Sequence, residues 1–333
     1  MVEVPVIDIG PLAGGAGDPA AVASEIDDAC REFGFFTVVG HAIDPRLRDR
    51  LDAASRSFFA LDDTEKEGIA MARAGRAWRG WFPVGGELTS GVPDLKEGIY
   101  FGEELAPVDP RVLAGRPLHG QNLFPPSPPD LRPAVLSWMA EMQRLGQTIL
   151  TGMAMGLGLE PAWFTDHLTA DPVVLFRIFH YPPAAAFGPD ASWGVGEHTD
   201  YGLLTILSQD DRGGLQVRAP TGWIDVAPLA DSFVCNLGDM LERLTGGLYR
   251  STPHRVRNNA ATGRLSYPFF LDPSWDAVVE ALPIVERPPG GDAADRWDHA
   301  SVHGFAGTYG EYLLGKVARV FPDLATGLED HKG

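Results

Sequence analysis

The chain reads as a mainly β protein with flanking helices, organised around a jelly-roll core, and three observations lead there. From Val173 to Leu271 the sequence is dominated by short apolar and β-branched runs punctuated by glycine, such as Leu203-Leu204-Thr205-Ile206-Leu207, which suit buried strands better than helices. His198 and Asp200 stand two positions apart, and residues so spaced in a strand project from one face. His254 lies far downstream in a second strand-like setting, so a fold that lets all three meet must bring remote strands together, as a jelly roll does.

The elements follow in order. Ala20 to Phe33 carries Val22, Ile26, Ala29 and Phe33 at helical spacing, and Phe35-Phe36-Thr37-Val38-Val39 then reads as a strand. Arg46 to Phe59 and Arg132 to Leu157 read as further helices, the second long enough to form a spine against the barrel. Between them the cluster Pro125-Pro126-Ser127-Pro128-Pro129 excludes regular helix and should wrap the surface. After the strand region, Ser301 to Phe321 returns to helix and should cap the structure or meet a second subunit. The resulting division is an amino-terminal region 1–120, a helical spine 121–170, a core 171–275 and a carboxy-terminal helical region 276–333, forming one compact unit without internal repeats.

Composition excludes several function classes. A formal net charge of −18 argues against a nucleic-acid surface, because phosphate binding needs clustered Lys and Arg, so small molecules are the expected partners. No apolar run is long enough to span a membrane, and the start Met1-Val2-Glu3-Val4-Pro5 lacks the pattern of a secretory signal. With only Cys30 and Cys235 there is no disulfide framework, which suits a reducing cytoplasm. Nothing in the sequence determines the oligomeric state.

Two histidines and one carboxylate on one side of a metal leave its other positions open, the arrangement non-haem Fe(II) oxygenases use to bind a cosubstrate and O2 together. His198, Asp200 and His254 are therefore the candidate metal ligands. Arg264 and Ser266 repeat the two-residue spacing and form a candidate carboxylate anchor, since the arginine fork matches a carboxylate bidentately and the serine hydroxyl adds a hydrogen bond. The turn-forming stretch Asn258 to Gly263 suggests that the His254 and Arg264 strands form a hairpin. A formal charge count supports the pairing: Fe(II) with one aspartate is roughly +1, a bound dicarboxylate roughly −2, and Arg264 restores near neutrality in a dry pocket.

With these residues in place, the chain resembles the iron- and 2-oxoglutarate-dependent dioxygenases of the isopenicillin N synthase-like group. The likeness extends from Val4-Pro5-Val6-Ile7-Asp8 and Cys30 to Phe36, through Pro93 to Glu97 and Asn122-Leu123-Phe124-Pro125, to Gln209 to Val217, Asn236-Leu237-Gly238-Asp239, Thr252 to Val256 and Arg264-Leu265-Ser266. It implies a distorted double-stranded β-helix with helices packed outside it. It further implies Fe(II) held by His198, Asp200 and His254, and 2-oxoglutarate held through its distal carboxylate by Arg264 and Ser266. Tyr181 stands where many members place a tyrosine that touches the cosubstrate, although a core aromatic would serve equally there.

Substrate contacts are less sharply defined. Strand alternation puts Arg177, Phe179 and Tyr181 on one face, so Arg177 either points into the pocket or pairs with a structural carboxylate. Phe270 shares the alternation of Arg264 and Ser266 and either lines the cavity or packs in the core. Glu97 reads substrate or organises a loop, and Tyr201 follows the metal motif directly. Trp78 and Trp81 form an aromatic wall or act as packing anchors, while His180 should face away from Tyr181. The expected function is a cytoplasmic dioxygenase that couples decarboxylation of 2-oxoglutarate to oxidation, most simply hydroxylation, of a small organic substrate. Three other readings remain: a family oxidase that uses Fe(II) and O2 without 2-oxoglutarate, an ethylene-forming activity suggested by the similar run His198 to Leu204, and a non-catalytic binding barrel.

Overall fold

The computed structural model describes residues 3–187, 193–219, 221–258, 261–285 and 303–320. Fourteen strands, in chain order β1 (Val6–Asp8), β2 (Phe35–Val39), β3 (Gly80–Phe82), β4 (Leu88–Thr89), β5 (Val92–Pro93), β6 (Glu97–Gly102), β7 (Pro172–Tyr181), β8 (Trp193–His198), β9 (Leu204–Gln209), β10 (Leu215–Ala219), β11 (Gly222–Asp225), β12 (Phe233–Leu237), β13 (His254–Arg257) and β14 (Arg264–Ser274), make up the sheets among the described residues. The helices are α1 (Pro19–Glu32), α2 (Pro45–Phe59), α3 (Asp63–Lys66), α4 (Pro110–Leu113), α5 (Leu131–Gly156), α6 (Trp163–His167), α7 (Asp239–Leu244) and α8 (Tyr309–Val320).

A major sheet of order β1-β2-β12-β9-β14-β7-β6-β3 and a minor sheet of order β11-β10-β13-β8 form the jelly roll, and β4 and β5 make a small separate ribbon. β1 joins β2 in parallel, whereas the other pairings are antiparallel. The central strand β14 shows how one sequence serves two faces. Arg264, Ser266, Pro268, Phe270 and Asp272 line an internal cavity, while Leu265, Tyr267, Phe269 and Leu271 alternate with them in the core. The outer face is covered by α5, whose buried Trp138, Met142, Leu145, Ile149 and Met153 recur at helical spacing. Each such side chain contributes roughly 2 kcal/mol on burial. Gly146 permits the close approach of helix to sheet, since a Cβ there would lie 2.7 Å from Leu271 Cδ2.

α1 and α2 pack on α5, and both start by the same local chemistry. Asp18 and Asp44 each accept a backbone N–H at 2.9 Å, from Ala20 and Arg46, and a proline occupies the first turn. These helices and the spine agree with the sequence-derived bounds to within a residue. The tail helix does not, because α8 starts at Tyr309, later than the expected Ser301. Thr308 and Glu311 form a reciprocal cap, with Glu311 Oε2 accepting from Thr308 N at 2.8 Å and Thr308 Oγ1 from Glu311 N at 3.3 Å, which sets the helix start. Ser301 and Phe321, the ends of that expectation, lie outside the described residues.

The expected hairpin between the His254 and Arg264 strands does not form. β13 pairs with β8 and β10, whereas β14 pairs with β7 and β9, so the connection crosses from one sheet to the other. A hairpin would set the two residues side by side on one wall; the crossing sets them on opposite walls of one cavity. Among the described residues no helix is long and apolar enough to cross a membrane. Cys30 and Cys235 are both free and buried, and burial pushes both thiol pKa values up.

Candidate active site

His198 ends β8 and His254 begins β13, and the two are direct partners across the minor sheet. Asp200 follows β8 by two residues, and its Oδ1 lies 3.9 Å from Nε2 of each histidine. Three donors around one ion must lie within about twice a metal–ligand bond of roughly 2.1 Å, and both separations satisfy that. Among the described residues this trio is the His/Cys/Asp/Glu cluster able to hold a metal ion.

Neighbouring groups orient each donor. His198 Nδ1 lies 2.8 Å from the Gly196 carbonyl and His254 Nδ1 3.2 Å from that of Thr252; protons there leave both Nε2 lone pairs directed at the gap. Asp200 Oδ2 accepts from Thr205 Oγ1 at 2.5 Å and Asn236 Nδ2 at 2.7 Å, which leaves Oδ1 for the ion. Burial first, then His198, lowers the His254 pKa and favours its neutral, ligating form. Burial acts to raise the Asp200 pKa, but the two histidines and the two hydrogen bonds outweigh it and the net direction is down.

Arg264 faces this trio across a cavity of about 430 Å³ and is 2 % exposed. Its Nε, Nη1 and Nη2 are buried without a hydrogen-bond partner, and the nearest carboxylate oxygen, Asp210 Oδ1, is 4.0 Å away. A buried guanidinium in that condition calls for an anion. Tyr181, its cross-strand partner, stacks on it at 4.7 Å, and Gly194 lets β8 pass close above the tyrosine ring. Ser266 lines the same wall and is equally buried.

Arg177 satisfies both of its expected descriptions. It lines the cavity between the rings of Tyr100 and Phe270, at 4.2 and 4.7 Å, while Nη1 lies 3.5 Å from Glu87 Oε1 and Nε has no hydrogen-bond partner. Phe270 and Tyr201 line the cavity too. Glu97 does not, and the expectation that it reads substrate is corrected. Its carboxylate accepts from Lys66 Nζ at 2.9 Å and Trp81 Nε1 at 2.9 Å and meets His180 Nδ1 at 2.8 Å. Parity is the reason: the neighbouring Lys96 faces the cavity, so Glu97 faces away, as does His180 beside Tyr181. Trp78 and Trp81 are buried outside the cavity lining and act as packing anchors.

Several lining residues escaped the sequence reading. Lys96 and Glu87 form a buried ion pair at 2.7 Å, legible only once strand parity around Glu97 is known. Asn236 and Thr205 carry no metal-ligand signature of their own. Leu313, Lys316 and Val317 reach the cavity from α8, a remote segment with no motif.

Comparison with known proteins agrees with this geometry. Residues 4–127 match the family model described as non-haem dioxygenase in morphine synthesis N-terminal, and residues 172–273 that of the 2OG-Fe(II) oxygenase superfamily. The chain is 44% identical to a probable iron/ascorbate oxidoreductase of Dictyostelium discoideum, over 97% of this chain and 96% of the relative. It is 36% identical to a homoarginine-6-hydroxylase of Arabidopsis thaliana, covering 96% and 98% of the two chains. Among solved structures, a full-length Neurospora crassa protein in complex with alpha-KG and thymine superposes with a TM-score of 0.79 at 26% identity, covering 95% of this chain and 96% of that one. The chain therefore belongs to the 2OG-Fe(II) oxygenase superfamily and is an iron- and 2-oxoglutarate-dependent dioxygenase of the isopenicillin N synthase-like type.

Proposed function

We propose that this dioxygenase hydroxylates a small amino acid, holding iron on His198, Asp200 and His254 and the distal carboxylate of 2-oxoglutarate on Arg264 and Ser266. The observation that carries the cosubstrate site is the Arg264 guanidinium, buried without a hydrogen-bond partner and facing the trio across one cavity. Its charge and planar fork fit a carboxylate, and the donor set opposite fits a divalent iron. With 2-oxoglutarate and O2, bound iron supplies an oxidation coupled to release of succinate and CO2.

The chain's own task is geometry and protection. Gly196 and Thr252 hold the two imidazoles in the ligating tautomer, while Thr205 and Asn236 fix the Asp200 carboxylate. Tyr181 stacks on Arg264 and keeps the fork preorganised. Val195, Leu207, Leu215 and Val256 give the cavity apolar walls that exclude water. Arg177, Tyr201 and Phe270 face the substrate. The unpartnered Arg177 Nε offers a substrate carboxylate a charged hydrogen bond, and the Arabidopsis relative's named substrate is an amino acid of that kind. We place the enzyme in the cytoplasm, where its two free thiols suit a reducing medium.

The test is a screen of amino acids, basic ones included, with Fe(II) and 2-oxoglutarate, following succinate and products heavier by one oxygen atom. Succinate released in step with one oxygenated amino acid, and a rise in that substrate's KM in Arg177→Leu, are expected. Uncoupled succinate release across the whole screen would overturn the amino-acid reading and leave the cosubstrate site standing.

A further inference from the structure

α8 closes one side of the cavity with Leu313, Lys316 and Val317, and two buried carboxylates outside the metal trio tie it down. Asp272 Oδ2 accepts from Tyr309 Oη at 2.6 Å, while its Oδ1 accepts from the Leu203 backbone N–H at 3.1 Å. Asp239 Oδ2 accepts from Lys316 Nζ at 3.1 Å, while the Asp239 backbone N–H donates to the Asp200 carbonyl at 2.7 Å. Both aspartates thus hold α8 through a carboxylate oxygen and also hold the loop of residues 200–203, which begins at the candidate metal ligand Asp200, Asp272 through its second carboxylate oxygen and Asp239 through its backbone N–H. The loop has little freedom of its own. Met240 N donates to the Tyr201 carbonyl at 3.1 Å, Gly238 N donates to that of Leu203 at 3.2 Å, and a Cβ on Gly202 would fall on the Asp272 carboxylate.

We infer that Tyr309 and Lys316 are positioning residues, coupling the docking of α8 over the cavity to the geometry of the metal-ligand loop through Asp272 and Asp239. If α8 lifts, Asp272 loses the hydroxyl donor and Asp239 the ammonium, so the two residues that brace the loop are each less firmly fixed in a dry setting where a lost hydrogen bond is costly. The coupling is reciprocal by thermodynamic necessity. Whatever factor α8 docking adds to metal affinity, metal binding adds to α8 docking. The inference rests on the proposed role of Asp200 as a ligand.

The test uses Mn(II) alone as the probe, with the full chain. In the parent, saturating Mn(II) should slow amide hydrogen exchange across residues 309–320. Tyr309→Phe deletes one hydroxyl and keeps the ring, and Lys316→Met keeps the length and deletes the charge. Each should weaken Mn(II) binding by roughly 5-fold, the lower end of usual coupling factors, and reduce the metal-induced protection of α8. If Tyr309→Phe fails to fold, Lys316→Met at the half-buried end of the helix carries both measurements alone. Mn(II) affinity equal to the parent's in the folded variants, or α8 exchange indifferent to metal in the parent, would reduce the contacts to plain packing and overturn the coupling. A wrong ligand assignment reads differently, because His254→Ala would then bind Mn(II) as well as the parent does.

Discussion

Replacing Arg264 with Met deletes the guanidinium and keeps much of the side chain's apolar volume. The parent side chain is 2 % exposed, its three nitrogens make no hydrogen bond, and Asp210 at 4.0 Å is its nearest carboxylate. Removing it orphans nothing, because Asp210 keeps its bonds from Leu265 N at 2.8 Å and Arg212 N at 3.1 Å. The fold should therefore hold, with a thermal midpoint close to the parent's, since the withdrawn charge had only a loose ion pair with Asp210, whose carboxylate keeps its two backbone donors. The loss falls on the ligand. Truncating one partner of a buried, charged hydrogen-bonded pair costs about 2 to 5 kcal/mol. That is a weakening of 2-oxoglutarate binding by roughly 30-fold to several thousand-fold. Burial spares the pair from solvent screening, and stacking on Tyr181 at 4.7 Å means little reorganisation offsets the gain, so the upper part of the range is expected. The assay is a titration of parent and variant with 2-oxoglutarate and with a 2-oxo acid lacking the distal carboxylate. The variant should lose affinity for the first far more than for the second while retaining the metal. Equal 2-oxoglutarate affinity in the two proteins would refute the anchor.

Other consequences are open to direct measurement. His254→Ala removes one of three protein donors and should abolish stable Fe(II) retention on gel filtration; iron content equal to the parent's would show the ligand set to be wrong. Asn236→Leu leaves the Asp200 Oδ2 held by Thr205 alone and should weaken metal affinity about 10- to 100-fold, the usual effect of losing an outer partner, as read by competition with a chelator. Burial raises the Asp272 pKa to about 7, so the folded state binds a proton there that the unfolded chain releases near its ordinary value. Stability from this group is thus present at low pH and is lost as pH rises toward about 7. Asp272→Asn, which cannot ionise, should gain stability relative to the parent between pH 5 and pH 8 by roughly 2 to 4 kcal/mol, and a constant difference in urea midpoint across that span would contradict the assignment.

Much of the site was legible because strand chemistry is local. The two-residue spacing of Arg264 and Ser266 carries its own geometry, since period-two alternation sends both to one face of β14, whereas β8 ends at His198 and Asp200 meets it from the loop that follows. The same alternation correctly paired Arg177 with Tyr181 and turned His180 away. It could not decide between the two readings of Glu97 because the register of β6 was unknown, and a shift of one residue exchanges the faces; the structure brings Lys96, not Glu97, to the cavity. The helices expected from Ala20 and Arg46 begin one residue earlier, at Pro19 and Pro45, each behind a capping aspartate that the apolar spacing did not register.

What the sequence by itself determined, then, was the chemistry of the donors, the strand faces that carry them and the helices that cover the sheet, all of which depend on neighbours within a few positions. Tertiary structure decided that β13 and β14 lie in different sheets, so that His254 and Arg264 face each other across the cavity. It also decided that Thr205 and Asn236 hold Asp200, and that α8 supplies a wall and two tethers. These depend on which distant segments pack together, and that is set by the burial of whole faces and the closure of long loops, which no short window of residues encodes.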